Sequence, residues 1–164
     1  MIREVLRYPD ARLKAVAAEC TDLAAAAAVV EDLWDTLAAG PRTVGVAAPQ
    51  IGVELRICVV DCSGHPKVPD ALGPLVLVNP VLSLGGETAV GREGCLSIPD
   101  LTGNVRRSVD VAVYAIGLDG SEVVVRASGF EARAIQHEVD HLDGVLFLDR
   151  VVSASDVFAR KSRA

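Results

Sequence analysis

No apolar run in the 164-residue sequence approaches the roughly eighteen residues that span a bilayer, so no transmembrane helix is expected. The opening segment, Met1-Ile2-Arg3-Glu4-Val5-Leu6-Arg7-Tyr8-Pro9-Asp10, lacks the apolar stretch of a secretory signal. It is also neither Ser-rich nor free of acids, as a transit peptide would be. A cytoplasmic location with no membrane partner is the expectation. Cations are in deficit: 16 Lys and Arg against 22 Asp and Glu give a net charge of −6. A general nucleic-acid coat is thereby excluded, DNA binding included, because phosphate contacts need clustered positive charge. The exception is a basic C-terminal tail, about 155–164, that contains Arg160-Lys161-Ser162-Arg163. It reads either as a solvated terminus or as a contact with a polyanion such as ribosomal RNA.

Cysteine is sparse. Cys20, Cys58, Cys62 and Cys95 are too few and too dispersed for a disulfide scaffold. Cys58 and Cys62 lie in an apolar, strand-like segment, and four residues along a strand separate them by roughly 13 Å, too far to share an ion. They read as core thiols. Repeats and low-complexity linkers are also missing, so residues 1–164 form one expected domain.

What is present is globular composition, 51% hydrophobic and 23% charged. Thr21-Asp22 supplies an N-cap for a helix from about Leu23 to Ala39, with Val29, Val30, Leu33, Trp34 and Leu37 at helical spacing and Gly40-Pro41 as its stop. A glycine-punctuated loop, Val44 to Gly52, leads into strand candidates at 54–61 and 75–82. Others lie near 88–91, at Val109 to Ile116 and at Glu122 to Ala127, the last two joined by an Asp119-Gly120 turn. Ser128 and Glu131 match a capping box that opens a helix running to about Leu142, with Gly144 as its C′ residue. Val145 to Leu148 reads as another short strand or buried segment. Strands between an early and a late helix make the class α+β, with mixed or antiparallel sheets.

The late helix carries His137-Glu138-Val139-Asp140-His141. Residues four apart share a helix face, so both imidazoles reach one ion, and Glu138, one step round, can take a proton from water there. Alone, this pattern also fits a solvent-facing helix that happens to hold two histidines. The sequence has only three histidines, however, and the helix is independently bracketed by its cap and its glycine. The third, His65, sits in a Gly-His-Pro turn and reads as a loop residue. A hydrolytic site needs one more protein ligand. After His141 there is neither histidine nor glutamate, so the completions used by thermolysin-like proteases and metzincins are missing and the ligand must lie upstream. Cys95, in Glu93-Gly94-Cys95-Leu96-Ser97 between a glycine and a strand-breaking Ile98-Pro99, is the candidate; by itself it would read as a buried free thiol.

With the loop Thr43-Val44-Gly45-Val46-Ala47-Ala48-Pro49-Gln50-Ile51-Gly52, these segments resemble, in order, the peptide deformylase motifs GxGxAAxQxG, EGCLS and QHExDHLxG. The resemblance runs from about Pro9 to Asp149. It implies sheets packed around a central C-terminal HExxH helix, and one divalent ion held by Cys95, His137 and His141, Fe(II) in the cell with nickel, cobalt or zinc accepted. The implied reaction removes the N-formyl group from the N-terminal methionine of a nascent polypeptide and releases formate. In it Glu138 is the general base, while the Gln50 amide and the Leu96 N–H stabilise the oxyanion. Gly45 pairs with the substrate backbone, Val44, Phe130, Ala134 and the His137 ring line the methionine pocket, and Gln136 supports the site. The chain departs from the pattern at Thr43, where the motif begins with glycine. If that position needs a positive φ, a β-branched residue costs about 1–2 kcal/mol, and reduced activity follows. Two other roles fit the residues: a HExxH peptidase, or a non-housekeeping relative that binds ribosomes or sequesters inhibitors.

Overall fold

The computed structural model describes residues 1–161; Ser162 to Ala164, the end of the basic tail, lie outside them. Helix α1 (Leu23–Ala39) begins where expected, with the Asp22 carboxylate accepting the N–H groups of Ala24 and Ala25 at 3.0 and 3.1 Å. Strands β1 (Gly45–Ala47), β2 (Ile57–Val60), β3 (Leu75–Leu84), β6 (Asp110–Ile116) and β7 (Glu122–Ser128) form a five-stranded sheet in the order β1-β2-β3-β6-β7. All its pairings are antiparallel. A second, three-stranded antiparallel sheet has the order β4 (Thr88–Cys95), β5 (Ile98–Ser108), β8 (Val157–Ala159). The class is α+β, as expected.

The apolar run of β2 has a simple cause. Side chains alternate across a strand, and both faces of this one are covered. Ile57 and Val59 pack with Ala26, Val30 and Leu33 of α1, while Cys58 and Val60 face Ile135, Val139 and Leu142 of helix α2 (Gly129–Leu142). The α2 helix also contacts β5 of the small sheet and is therefore enclosed on most sides. Fully burying each such Leu or Ile contributes about 1.5–3 kcal/mol, whereas the polar residues of the same helix must find partners.

Several local expectations change. Ser128 is the N-cap of α2, but its side chain makes no capping bond, and the buried Glu131 carboxylate instead accepts the Leu72 N–H at 3.0 Å. The helix end is as expected, with Gly144 at φ 70°. A β-carbon there would overlap the Lys14 carbonyl. Of the two readings of Val145 to Leu148 the buried segment holds, with Leu146 and Phe147 in the core, and not the strand; the chain turns into a 3-10 helix at Phe147–Arg150. Ile98-Pro99 does not break a strand but opens β5, where proline is tolerated because it occupies a strand end.

Candidate metal centre

Cys95 ends β4 at a shift in register between Gly94 and Cys95, just before the tight Leu96-Ser97 turn into β5. Irregularities of this kind re-aim a side chain. Here the thiol is turned toward α2, whose successive turns deliver His137 and His141. One ligand atom from each of Cys95, His137 and His141 lies within 4.8 Å of the others. Cys95 Sγ is 3.3 Å from His141 Nε2, and the imidazole centroids are 5.1 Å apart at 69°. Burial alone would raise the Cys95 thiol, but His141 and His137 beside it pull it well below its ordinary value, toward the thiolate that binds metals. Cys58 and Cys62 are buried away from this cluster, where burial pushes Cys62 up to about 12.

Behind the imidazoles lies a buried ionic network. The Glu93 carboxylate accepts two bonds of 2.9 Å from Arg107, one of 2.8 Å from Arg133 and one of 2.8 Å from His137 Nδ1. Burial works against the charged carboxylate, yet Arg107 and His137 hold Glu93 below the usual carboxylate range. It therefore stays an acceptor, which makes His137 Nδ1 the donor and leaves Nε2 free to ligate. Arg107 also donates to Asp140, which Arg150 caps from outside at 2.6 and 3.0 Å. Sequence reading missed Arg107, Arg133, Asp140 and Arg150; the available signal was charge at helix positions four before and three after His137. Gln136 does not touch the cluster. Its amide exchanges bonds of 3.1 and 2.9 Å with the backbone of Ser108 and so ties α2 to β5.

On the open side, Glu138 packs against Gly45 so closely that a β-carbon there would lie 2.8 Å from both Glu138 Cγ and Oε1. Burial pushes the Glu138 carboxyl up to about 7, against the opposing effect of the nearby His137 and His141. Gln50, also buried, accepts the Ala47 N–H at 2.9 Å and so aims its Nε2 at Cys95 Sγ and Ser97 Oγ, 3.5 and 3.1 Å away. Gly45, Gln50, Leu96 and Glu138 line one cleft of about 220 Å³ with Val44, Phe130, Ala134 and His137. β1 is an edge strand, so Val44 and Gly45 border the cleft with a free backbone edge. His65, read as a simple loop residue, stacks on Phe130 with centroids 4.2 Å apart. Just before the motif loop a positive φ falls on Arg42 (52°) and not on Thr43, so the backbone penalty expected at Thr43 has no basis.

Two buried side-chain atoms, Glu138 Oε2 and His141 Nδ1, have no hydrogen-bond partner among the described residues. Such orphans mark a place built for something polar. One thiol and two imidazoles converging there suit a transition-metal ion. A cysteine and two histidines meeting beside a buried glutamate define a metallohydrolase of the HExxH class.

The sequence pattern of the family described as polypeptide deformylase matches residues 2–156. "Peptide deformylase 1" of Vibrio vulnificus (strain YJ016) is 41% identical over 160 residues, covering 98% of this chain and 92% of that one. "Peptide deformylase" of Thermomicrobium roseum is 46% identical over 156 residues, covering 92% and 82%. A crystal structure of Acinetobacter baumannii class I type b peptide deformylase with Met-Ala-Ser bound superposes with a TM-score of 0.84 at 34% identity, covering 92% and 99%. The chain belongs to the polypeptide deformylase family.

Proposed function

We propose that the chain removes the formyl group from the N-terminal methionine of nascent polypeptides, releasing formate and a free amine. Carrying this reading is the convergence of Cys95, His137 and His141 beside the unpartnered Glu138 oxygen, in a chain of this family. The A. baumannii relative binds Met-Ala-Ser, which is what deformylation of formyl-Met-Ala-Ser leaves.

One divalent ion would be held by Cys95, His137 and His141, with Fe(II) as the cellular metal and nickel, cobalt or zinc as substitutes. When bound, it supplies Lewis acidity toward a carbonyl oxygen and a water. Glu138 accepts the water proton at Oε2 and returns it to the departing amine. Gln50 Nε2 and the Leu96 N–H donate to the oxygen that gains charge, each such donor contributing about 3–4 kcal/mol in the transition state. Gln50 is suited to this because the Ala47 N–H fixes which end of its amide faces the cluster. The free edge of β1 at Gly45, with Val44 just before it, pairs with the substrate backbone, a mode that reads little of the downstream sequence. Val44, Phe130, Ala134 and the His137 ring receive the methionine side chain, with His65 stacked on Phe130 and Lys67 Nζ 5.5 Å from the same ring.

No helix among the described residues is long and apolar enough to cross a membrane. A cytoplasmic site of action follows from the substrate. Docking on the ribosome by the basic tail rests on Lys161 and residues outside the described ones, since Arg160 turns toward the cleft. The test is formate release from formyl-Met-Ala-Ser by protein loaded anaerobically with Fe(II) or with nickel. Glu138→Ala should keep its metal and lose about 10²- to 10⁴-fold in turnover. Equal turnover in that variant would reject the mechanism, and wild-type protein that binds metal yet releases no formate would favour a binding role.

A further inference from the structure

The mouth of the cleft is cationic although the chain as a whole is acidic, at net charge −6. Arg42, from the loop before β1, lines the cleft together with Arg92 of β4 and Arg160, which follows β8. Arg160 arrives there by a specific route. β8 pairs with β5, and the Arg160 N–H extends that ladder by donating to the Asp100 carbonyl at 2.8 Å. Its guanidinium then lies across Gly94, next to Cys95, in space that a β-carbon at residue 94 would overlap. Arg92 is held by neutral partners: Asn104 at 2.9 Å, Thr102 at 3.3 Å and the Phe158 ring 3.9 Å below its guanidinium. Asp156 makes no ion pair with Arg92 but bonds to Asn104 and feels the Arg92 charge. Arg42 is exposed and held at a φ of 52°, a conformation costing a non-glycine residue about 1 kcal/mol.

Among the described residues none of these three arginines forms an ion pair. The acids lining the cleft, Glu93 and Glu138, are both buried, the first already shared by two arginines and the second packed against Gly45. Cations from the β1 loop and from the small sheet, none of them in an ion pair, focus a positive potential on whatever enters the opening they share. Resting on the deformylase reading of this site, we propose that Arg42, Arg92 and Arg160 make the enzyme select substrates with acidic side chains just after the formylated residue. The inner cleft takes that first residue, so the following ones lie between the arginines.

Holoenzyme assayed on formyl-Met-Xaa-Xaa amides, with Xaa as Glu, Gln or Lys, separates the possibilities; the amide removes the terminal carboxylate as a confounding charge. The Glu peptide should exceed the Lys peptide by about fivefold or more in kcat/KM at low salt, mainly through KM. That ratio should shrink at about 0.5 M KCl, where exposed charges are screened. Arg160→Glu should abolish or invert the ratio, and the milder Arg160→Gln should reduce it. Equal turnover of the three peptides, or a ratio indifferent to salt and to both variants, overturns the proposal. So does an Arg160→Glu protein that loses only ribosome co-sedimentation, which would assign the residue to RNA. Formate from none of the peptides would instead reject the deformylase reading, and this proposal with it.

Discussion

The Glu93 carboxylate accepts the Nδ1–H of His137 at 2.8 Å, while Arg107 donates to both of its oxygens and Arg133 to Oε2. The bond fixes the imidazole tautomer, and the arginines keep the carboxylate ionised. Glu93 is a positioning residue that acts through His137. Glu93→Gln keeps the shape but loses the charge, and metal affinity should fall about 10- to 100-fold, read by chelator competition. Glu93→Ala should also lower stability by about 3–5 kcal/mol, because two arginines would be left without their shared partner. Unchanged metal affinity in Glu93→Gln would show that His137 needs no such support.

Gly45 is constrained by Glu138. With a β-carbon placed 2.8 Å from both Glu138 Cγ and Oε1, Gly45→Ala must displace the carboxylate, the edge strand or both. The expected result is retained metal with turnover down by about a hundredfold. Metal content measured alongside formate release distinguishes this from loss of the ion. A variant with normal turnover would mean that Glu138 does not work from the position it holds here.

The chemistry was easier to read in the sequence than the support beneath it. His137, Glu138 and His141 follow from helical spacing, and Cys95 from the failure of any downstream ligand. Helix α1 follows from Asp22 and a regular apolar stripe, and the β6–β7 hairpin from Asp119-Gly120. β5 was hidden because Asp100, Thr102, Asn104 and Arg106 give it a polar character and proline stands near its start, so its pairing with β4 decides its state. The partner of Glu131 was equally hidden: a capping box predicts a local bond, whereas Leu72 lies 59 residues away in sequence. Ionic partners of Glu93 come from β5 and α2, a proximity that only the folded chain creates.

Three of the four cysteines should be dispensable for metal. Cys58 and Cys62 are buried in the core between sheet and α2, and Cys20 packs beneath α1. Cys95→Ala should therefore abolish stoichiometric metal binding, while Cys58→Ala and Cys62→Ala retain one ion per chain and lose about 1 kcal/mol of stability each. Metal analysis of the purified variants with a thermal melt reads both effects. Loss of the ion in Cys58→Ala would point to a different ligand set.

The departure at Thr43 leads to a prediction about its neighbour. Arg42 adopts φ 52°, and Thr43 does not share that conformation. The Thr43 hydroxyl instead fills the space beside Gly40, where a β-carbon would lie 2.6 Å from it. Arg42→Gly should relieve the left-handed cost, less the extra chain entropy that glycine brings to the unfolded state, for a net gain of about 0.5–1 kcal/mol. In a domain of this size that raises Tm by about 1–4 °C. Thr43→Gly removes no strain and adds unfolded-chain entropy, so its Tm should stay level or fall and kcat/KM on a formyl-Met peptide should change little. A higher Tm for Thr43→Gly than for Arg42→Gly would place the strain at residue 43 and restore the expectation that threonine there weakens the enzyme.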